Sequence, residues 1–142
     1  MPKINFEKIV KAERNKVFNI AANFEQFQKT LPEYFPSIRI RSTRGNITVV
    51  EEHIRIAGHE FIMMTKHVTQ YPEIHEVFVI GGYAKGSHII QRYESITQGT
   101  KITVYVDLNL KWRLKLLAFF RKGKMKKSFT KIMDDFAKIA EN

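Results

Sequence analysis

The chain contains no cysteine, which excludes a disulfide framework, a thiolate metal site and a cysteine nucleophile, and makes the cytoplasm the default compartment. Proline is scarce, at four of 142 residues, and there is no proline-rich hinge, low-complexity linker or internal repeat. One domain over residues 1–142 is therefore expected. Long apolar runs are also missing. The opening MPKINFEKIV alternates apolar and polar residues, without the apolar stretch and small-residue cleavage site of a signal peptide, and reads as a strand. In the most basic part of the chain the longest apolar run is Leu116 to Phe120, against the roughly 20 residues needed to span a bilayer. Any membrane contact is thus expected to be peripheral.

Acid is the last absence, and a local one. Lys111 to Lys131, KWRLKLLAFFRKGKMKKSFTK, holds nine of the 24 Lys and Arg and none of the 14 Asp and Glu, which leaves 15 basic against 14 acidic side chains elsewhere. The net charge of +10 is therefore concentrated in one segment. Its basic residues Lys111, Arg113, Lys115, Arg121, Lys122, Lys124, Lys126 and Lys127 are interleaved with Trp112, Leu116, Phe119 and Phe120. That mixture suits an anionic partner that also accepts apolar groups, so an anionic membrane surface is the leading expectation and nucleic acid the second. The competing reading is a solvated lysine face on an ordinary helix.

What remains is an apolar, aromatic chain. Hydrophobic residues make up 44% of it and Phe alone supplies 11 positions, enough apolar surface to offset the entropy of ordering a globular core. Ile4, Phe6 and Val10 share one side of a strand over Lys3 to Lys11, with Ile9 the exception. Val17, Phe18, Ala21 and Ala22 then recur at helical spacing, with Asn23 expected as a left-handed terminator. A second short helix, carrying Phe24, Phe27 and Leu31, should stop at Pro32. From Ser37 to Leu110 β-rich segments are broken by turn signals at Arg44-Gly45-Asn46, Ala57-Gly58, Tyr71-Pro72, Gly81-Gly82 and Gln98-Gly99. No crossover helix fits between them, so six further strands form an antiparallel meander. In the last, Ile102, Val104, Val106, Leu108 and Leu110 share one face. A long helix with Met125, Phe129, Ile132, Phe136 and Ile139 on one side is expected to cover it. The class is α+β.

This order resembles the helix-grip arrangement of the START and birch-pollen-allergen-like superfamily, also called SRPBCC. AERNKVFNIAANFEQFQKTLP is similar to that family's helix pair, with Phe24-Glu25 before the second helix and Leu31-Pro32 closing it. Tyr71-Pro72 before a strand, Gly82-Tyr83-Ala84-Lys85-Gly86-Ser87 at a hairpin and Gly99-Thr100-Lys101-Ile102-Thr103 opening the last strand resemble family punctuation. The resemblance covers essentially the whole chain. It implies a seven-stranded antiparallel sheet wrapped around the C-terminal helix, with two short helices after the first strand and an apolar cavity between sheet and helix. Different members hold lipids, sterols, quinones, hormones or polyketides there. The basic, aromatic entry to the last helix looks most like the polyketide-cyclase and coenzyme-Q-binding groups. The superfamily has no shared catalytic residue to carry over.

Individual polar residues suggest less chemistry. The five histidines, His53, His59, His67, His75 and His88, are spaced by six, eight, eight and thirteen residues, which does not by itself bring three nitrogens within about 2 Å of one metal. They are expected to be structural or on the surface, with no metal site and no cofactor. Glu51-Glu52 and Asp134-Asp135 are read as solvated carboxylates, because neighbours on a strand face opposite ways and the aspartates fall on the polar side of a helix. A pocket is expected to be lined by Phe27, Leu31, Phe35, Phe61, Met63, Phe78, Tyr93, Met125, Phe129 and Met133, methionine being adaptable to irregular apolar ligands. A turn at Gln98-Gly99 would set Tyr93 opposite Val104 and Gln91 opposite Val106, so both would face inward. Tyr93 and Gln91 are then the candidates if the chain is an enzyme of the cyclase or dehydratase class. Binding, and transfer, of a lipid, isoprenoid or quinone-like molecule is the leading expectation. The expected state is a monomer or weak dimer, and nucleic acid is disfavoured because the aromatic residues are committed to the core.

Overall fold

The computed structural model describes residues 3–56, 59–109 and 122–142, and of residues 59 and 122–125 the backbone only. The expected turn at Ala57-Gly58 and the strand position of Leu110 lie outside the described residues.

Alternation at the amino terminus becomes strand β1 (Lys3–Val10), in which Ile4, Phe6 and Val10 are buried while Ile9 stands exposed. Helix α1 (Arg14–Ala22) follows. The Glu13 carboxylate accepts from the backbone N–H of Lys16 at 2.9 Å and so satisfies one of the free amides of its first turn. Asn23 ends α1, but not in the left-handed conformation expected of it: its φ is -87°, and its N–H still donates to Asn19 at 3.0 Å. The chain can therefore run directly into a 3-10 turn (Phe24–Gln26) and a single turn of helix, α2 (Phe27–Thr30), which stops at Leu31 ahead of Pro32.

Six strands follow: β2 (Ser37–Arg44), β3 (Ile47–Ile56), β4 (His59–Gln70), β5 (Ile74–Gly82), β6 (His88–Ile96) and β7 (Gly99–Asp107). They form one seven-stranded antiparallel sheet of order β1-β7-β6-β5-β4-β3-β2, so the meander closes with the first strand beside the last. The β6–β7 turn lies one position earlier than expected. Ile96 pairs with Gly99, which sets Tyr93 opposite Ile102 and Gln91 opposite Val104. The register differs by two residues from the sequence expectation, and a shift of two leaves each side chain on its expected face.

Helix α3 (Lys122–Ala140) covers the concave side of the sheet. Phe136, Ala137 and Ala140 are buried, and Phe129, Ile132 and Met133 pack against the core from its flank. Full burial of each large apolar side chain contributes about 1.5 to 3 kcal/mol, so the apolar stripe, not helix propensity, holds α3 in place. Lys8, on the inward side of β1, reaches Asp134 of α3 at 2.7 Å. Phe18 of α1 is 1% exposed and meets the Tyr93 ring edge-on at 4.9 Å, which anchors α1 against β6. Among the described residues no helix is long and apolar enough to cross a membrane.

Candidate functional site

Two adjoining cavities lie between sheet and α3. The larger, of about 170 Å³, is lined by Phe61, Met63, Tyr83, Leu108 and Phe129 among others. The smaller, of about 110 Å³, lies toward the helical end and is lined by Phe27, Leu31, Gln91, Tyr93 and Met133 among others. Phe35, Glu52, His67 and Val77 line both, so the boundary between them is partly polar.

The expected pocket residues fall as follows. Phe27, Leu31, Tyr93 and Met133 line the smaller cavity, Phe61, Met63 and Phe129 the larger, and Phe35 both. Phe78 was expected in the pocket and is not there. Val77 and Val79 on either side of it are buried inward, so the pleat turns Phe78 to the other face of the sheet. There it stacks on His88 at 4.4 Å with Lys66 over its ring. The side chain of Met125 lies outside the described residues, as do Lys111, Trp112, Arg113, Lys115, Leu116, Phe119 and Phe120, Arg121, and the side chains of Lys122 and Lys124.

A line of polar side chains crosses the concave face from β3 to β6. His67 Nε2 is 2.7 Å from Glu52 Oε2, and His67 Nδ1 is 2.9 Å from His75 Nε2. The Thr65 hydroxyl donates to the same Glu52 oxygen and lies 3.2 Å from His67 Nε2. Glu52, Thr65, His67 and His75 are all buried. One expectation is corrected: Glu52 is not a solvated carboxylate, while His67 and His75 are buried, hydrogen-bonded and line the smaller cavity. Glu51 and Glu52 do face opposite ways, and the inward one, Glu52, has a buried partner in His67.

Sheet register explains the alignment. Thr65 pairs with Val50, so Glu52 is its diagonal neighbour; His67 pairs with Val77, so His75 is diagonal to it; and His75 stands directly opposite Gln91. Cross-strand and diagonal side chains on one face are within mutual reach. Phe24 covers the line, its ring stacked on His67 at 4.0 Å and on His75 at 5.9 Å. At the far end the Tyr93 hydroxyl donates to Gln91 Oε1 at 2.6 Å.

The protonation states follow from burial and partners. Burial pushes the Glu52 carboxyl up, but hydrogen bonds from His67 and Thr65 and attraction to His67 more than offset this and hold it below the ordinary range. Burial, with a smaller effect of neighbouring His67, pulls His75 down to about 3, so its ring is neutral at neutral pH. Burial raises the Tyr93 phenol, which stays protonated. Among the described residues no cluster of His, Asp and Glu is arranged to hold a metal ion.

No protein-family model matches the sequence, and no curated protein matches it. Solved structures do match the fold. TTHA0849 from Thermus thermophilus superposes with a TM-score of 0.85 at 13% identity, covering 98% of this chain and 97% of that one. The Zhui aromatase/cyclase from Streptomyces sp. R1128 gives 0.77 at 10% identity over 99% and 93% of the two chains. Major latex-like protein 151 from Panax ginseng gives 0.77 at 10% identity over 99% and 98%. At such identities the likeness establishes backbone architecture and nothing finer. The sheet order, the helix pair after β1 and the gripped C-terminal helix together give this chain the helix-grip fold that these solved structures share.

Proposed function

We propose that the chain binds a hydrophobic small molecule in the adjoining cavities between sheet and α3. The observation that carries this reading is the pair of apolar cavities left open inside a core whose surrounding side chains are otherwise buried. Interiors normally pack to crystal-like density, and an apolar concavity with a few convergent polar groups is the usual form of a small-molecule site. Solved structures of the same fold include an aromatase/cyclase, which fits a cavity of this kind put to ligand use.

The basic segment extends the proposal to an anionic membrane as the source or destination of the ligand. Leu108 and Phe129, both lining the larger cavity, flank residues 110–121 in the chain, and Lys126 and Lys127 are exposed on α3. Charge and cavity therefore adjoin in sequence, as transfer between membrane and pocket requires.

A second reading, an enzyme of the cyclase or dehydratase class acting on a ligand in the same space, has the buried Glu52–His67–His75 line in its favour. Binding is preferred because the group at the end of that line is a weak base. A ring that protonates only near pH 3 has little drive to take a proton from an alcohol or an enolisable carbon.

The deciding experiment is native mass measurement of the purified protein, followed by solvent extraction and analysis of the extract. A bound apolar molecule of defined mass is expected. A bare polypeptide that also fails to take up an environment-sensitive apolar dye would overturn the binding reading.

A further inference from the structure

Four residues, Phe35, Glu52, His67 and Val77, line both cavities and so stand where the two spaces meet. Two of them are apolar. Both ring nitrogens of His67 are engaged, Nε2 with Glu52 and Nδ1 with His75. Glu52 is engaged at one oxygen only: His67 and the Thr65 hydroxyl both go to Oε2, and among the described residues nothing bonds to Oε1.

Oε1 is not sealed in. Among the described residues the side-chain atoms that are both buried and without a partner are Arg14 Nε, His75 Nδ1 and Asn109 Oδ1. Glu52 Oε1 has no partner and is not one of them, so it keeps accessible surface, part of the 9% that the Glu52 side chain retains. That surface faces the ligand space. Glu52 shares the inward side of β3 with Val50 and Ile56, both buried, and with Ile54, which lines the larger cavity. The hydrogen-bonding sense of the atom is fixed by its chemistry. The carboxyl is held below its ordinary range, so it is ionised at neutral pH, and a carboxylate oxygen only accepts. That sense is the same whether His67 is neutral or protonated.

We propose that Glu52 Oε1 anchors the bound molecule by accepting from an N–H or O–H set in its apolar body, so that the site takes hydrophobic ligands carrying a hydrogen-bond donor and rejects those presenting only acceptors. A donor at the junction gains a charge-assisted hydrogen bond in surroundings of low dielectric. An ether oxygen or a carboxylate placed there meets another oxygen lone pair and gives up its water with nothing in return. The inference rests on the hydrophobic-binding reading above and names the polar group its ligand carries.

Indole and benzofuran have nearly the same shape, but one presents an N–H where the other presents an ether oxygen. Their affinities, measured by titration calorimetry at neutral pH on the wild type and on Glu52→Gln, test the assignment. Indole is expected to bind the wild type at least about tenfold more tightly, as suits a hydrogen bond to a charged group. Glu52→Gln should largely level the two, because an amide offers either its carbonyl or its N–H. Equal affinities in the wild type, or a preference that Glu52→Gln leaves intact, would overturn the assignment and leave hydrophobic binding standing. So would uptake of an environment-sensitive apolar dye by a wild type that binds neither probe. Failure of the dye and both probes would remove the reading beneath it as well. Should Glu52→Gln not fold, the carboxyl carbon resonance of Glu52 in the wild type decides the matter. It should move on adding indole and not on adding benzofuran, and an unmoved resonance, or equal movement with both, counts against the proposal.

Discussion

His67 and Glu52 face each other across β3 and β4, joined at 2.7 Å and shut away from water. Replacing Glu52 by Leu removes the acceptor and leaves the His67 N–H buried with only the more distant Thr65 oxygen. A destabilisation of about 2 to 4 kcal/mol is expected, combining a lost charged hydrogen bond with an unsatisfied donor. Glu52→Gln keeps an acceptor and should cost about half as much. Urea denaturation of the two variants checks the order, and a Leu variant as stable as the wild type would mean that the pair is not formed.

The depressed His75 ring predicts acid lability with a definite sign. Its value falls from 6.5 to about 3 on folding because burial opposes the charge. Between those limits the unfolded chain binds a proton that the folded one refuses, so stability is present above 6.5 and lost as pH falls toward 3. The slope approaches about 1.4 kcal/mol per pH unit well below the upper limit. Glu52, also depressed, acts in the same direction at lower pH. Comparing denaturation midpoints at neutral pH and at about pH 5 should show a loss in the wild type and a much smaller one in His75→Phe. An identical loss in both would assign the acid sensitivity elsewhere.

Much of this architecture could be read from spacing alone, and the reasons for the failures are instructive. The alternation of Ile102, Val104 and Val106 fixed the inward face of β7, and all three are buried. The misplaced β6–β7 turn did no harm to Tyr93 and Gln91 because the error was an even number of residues. Phe78 differs for the opposite reason: its residue type suggests the pocket, while the inward parity of Val77 and Val79 turns it away from the cavity. The Glu52–His67–His75 line has no linear motif, since its members come together only through the diagonal offsets of two hairpins. One signal was available. Glu52, Thr65, His67 and His75 all fall at inward positions of adjacent strands, beside Val50 and Val77, and polar residues sharing the inward parity of a core face must find one another or a ligand.

Filling the junction of the two cavities should abolish binding without unfolding the chain. Val77 lines both spaces, and Val77→Phe places a ring where they meet. Overpacking is expected to cost about 1 to 3 kcal/mol, while affinity for an environment-sensitive apolar dye should fall by more than about tenfold. Undiminished binding by a folded Val77→Phe variant would place the ligand outside these cavities.

Gly82, at the end of β5, is constrained more tightly than Gly45 in the β2–β3 turn. Gly82 has φ of +79°, and an added Cβ would collide with the Ile62 carbonyl oxygen across the β4–β5 edge. Gly45, with φ of +57°, has open space around it. Gly45→Ala should therefore cost only the left-handed backbone penalty of about 1 to 2 kcal/mol. Gly82→Ala adds a clash with main chain, which cannot swing aside as a side chain can, and should cost clearly more. Thermal melts of the two variants test the ranking.

The basic segment gives the last prediction its magnitude. If about half of its nine Lys and Arg reach an anionic bilayer at roughly 1 kcal/mol each, the contact is worth on the order of 4 kcal/mol, near a millimolar constant. Insertion of Leu116, Phe119 and Phe120 would strengthen it toward micromolar, at about 1.5 to 3 kcal/mol per fully buried side chain. Changing Lys124, Lys126 and Lys127 together to Glu reverses three charges and should abolish co-sedimentation with vesicles containing phosphatidylserine. Since Lys126 and Lys127 are exposed on α3, the stability of the fold should change little. Retained uptake of an environment-sensitive apolar dye by this variant would show that docking and cavity binding are separable. Co-sedimentation as strong as that of the wild type would eliminate docking through these lysines and leave a solvated lysine face in its place.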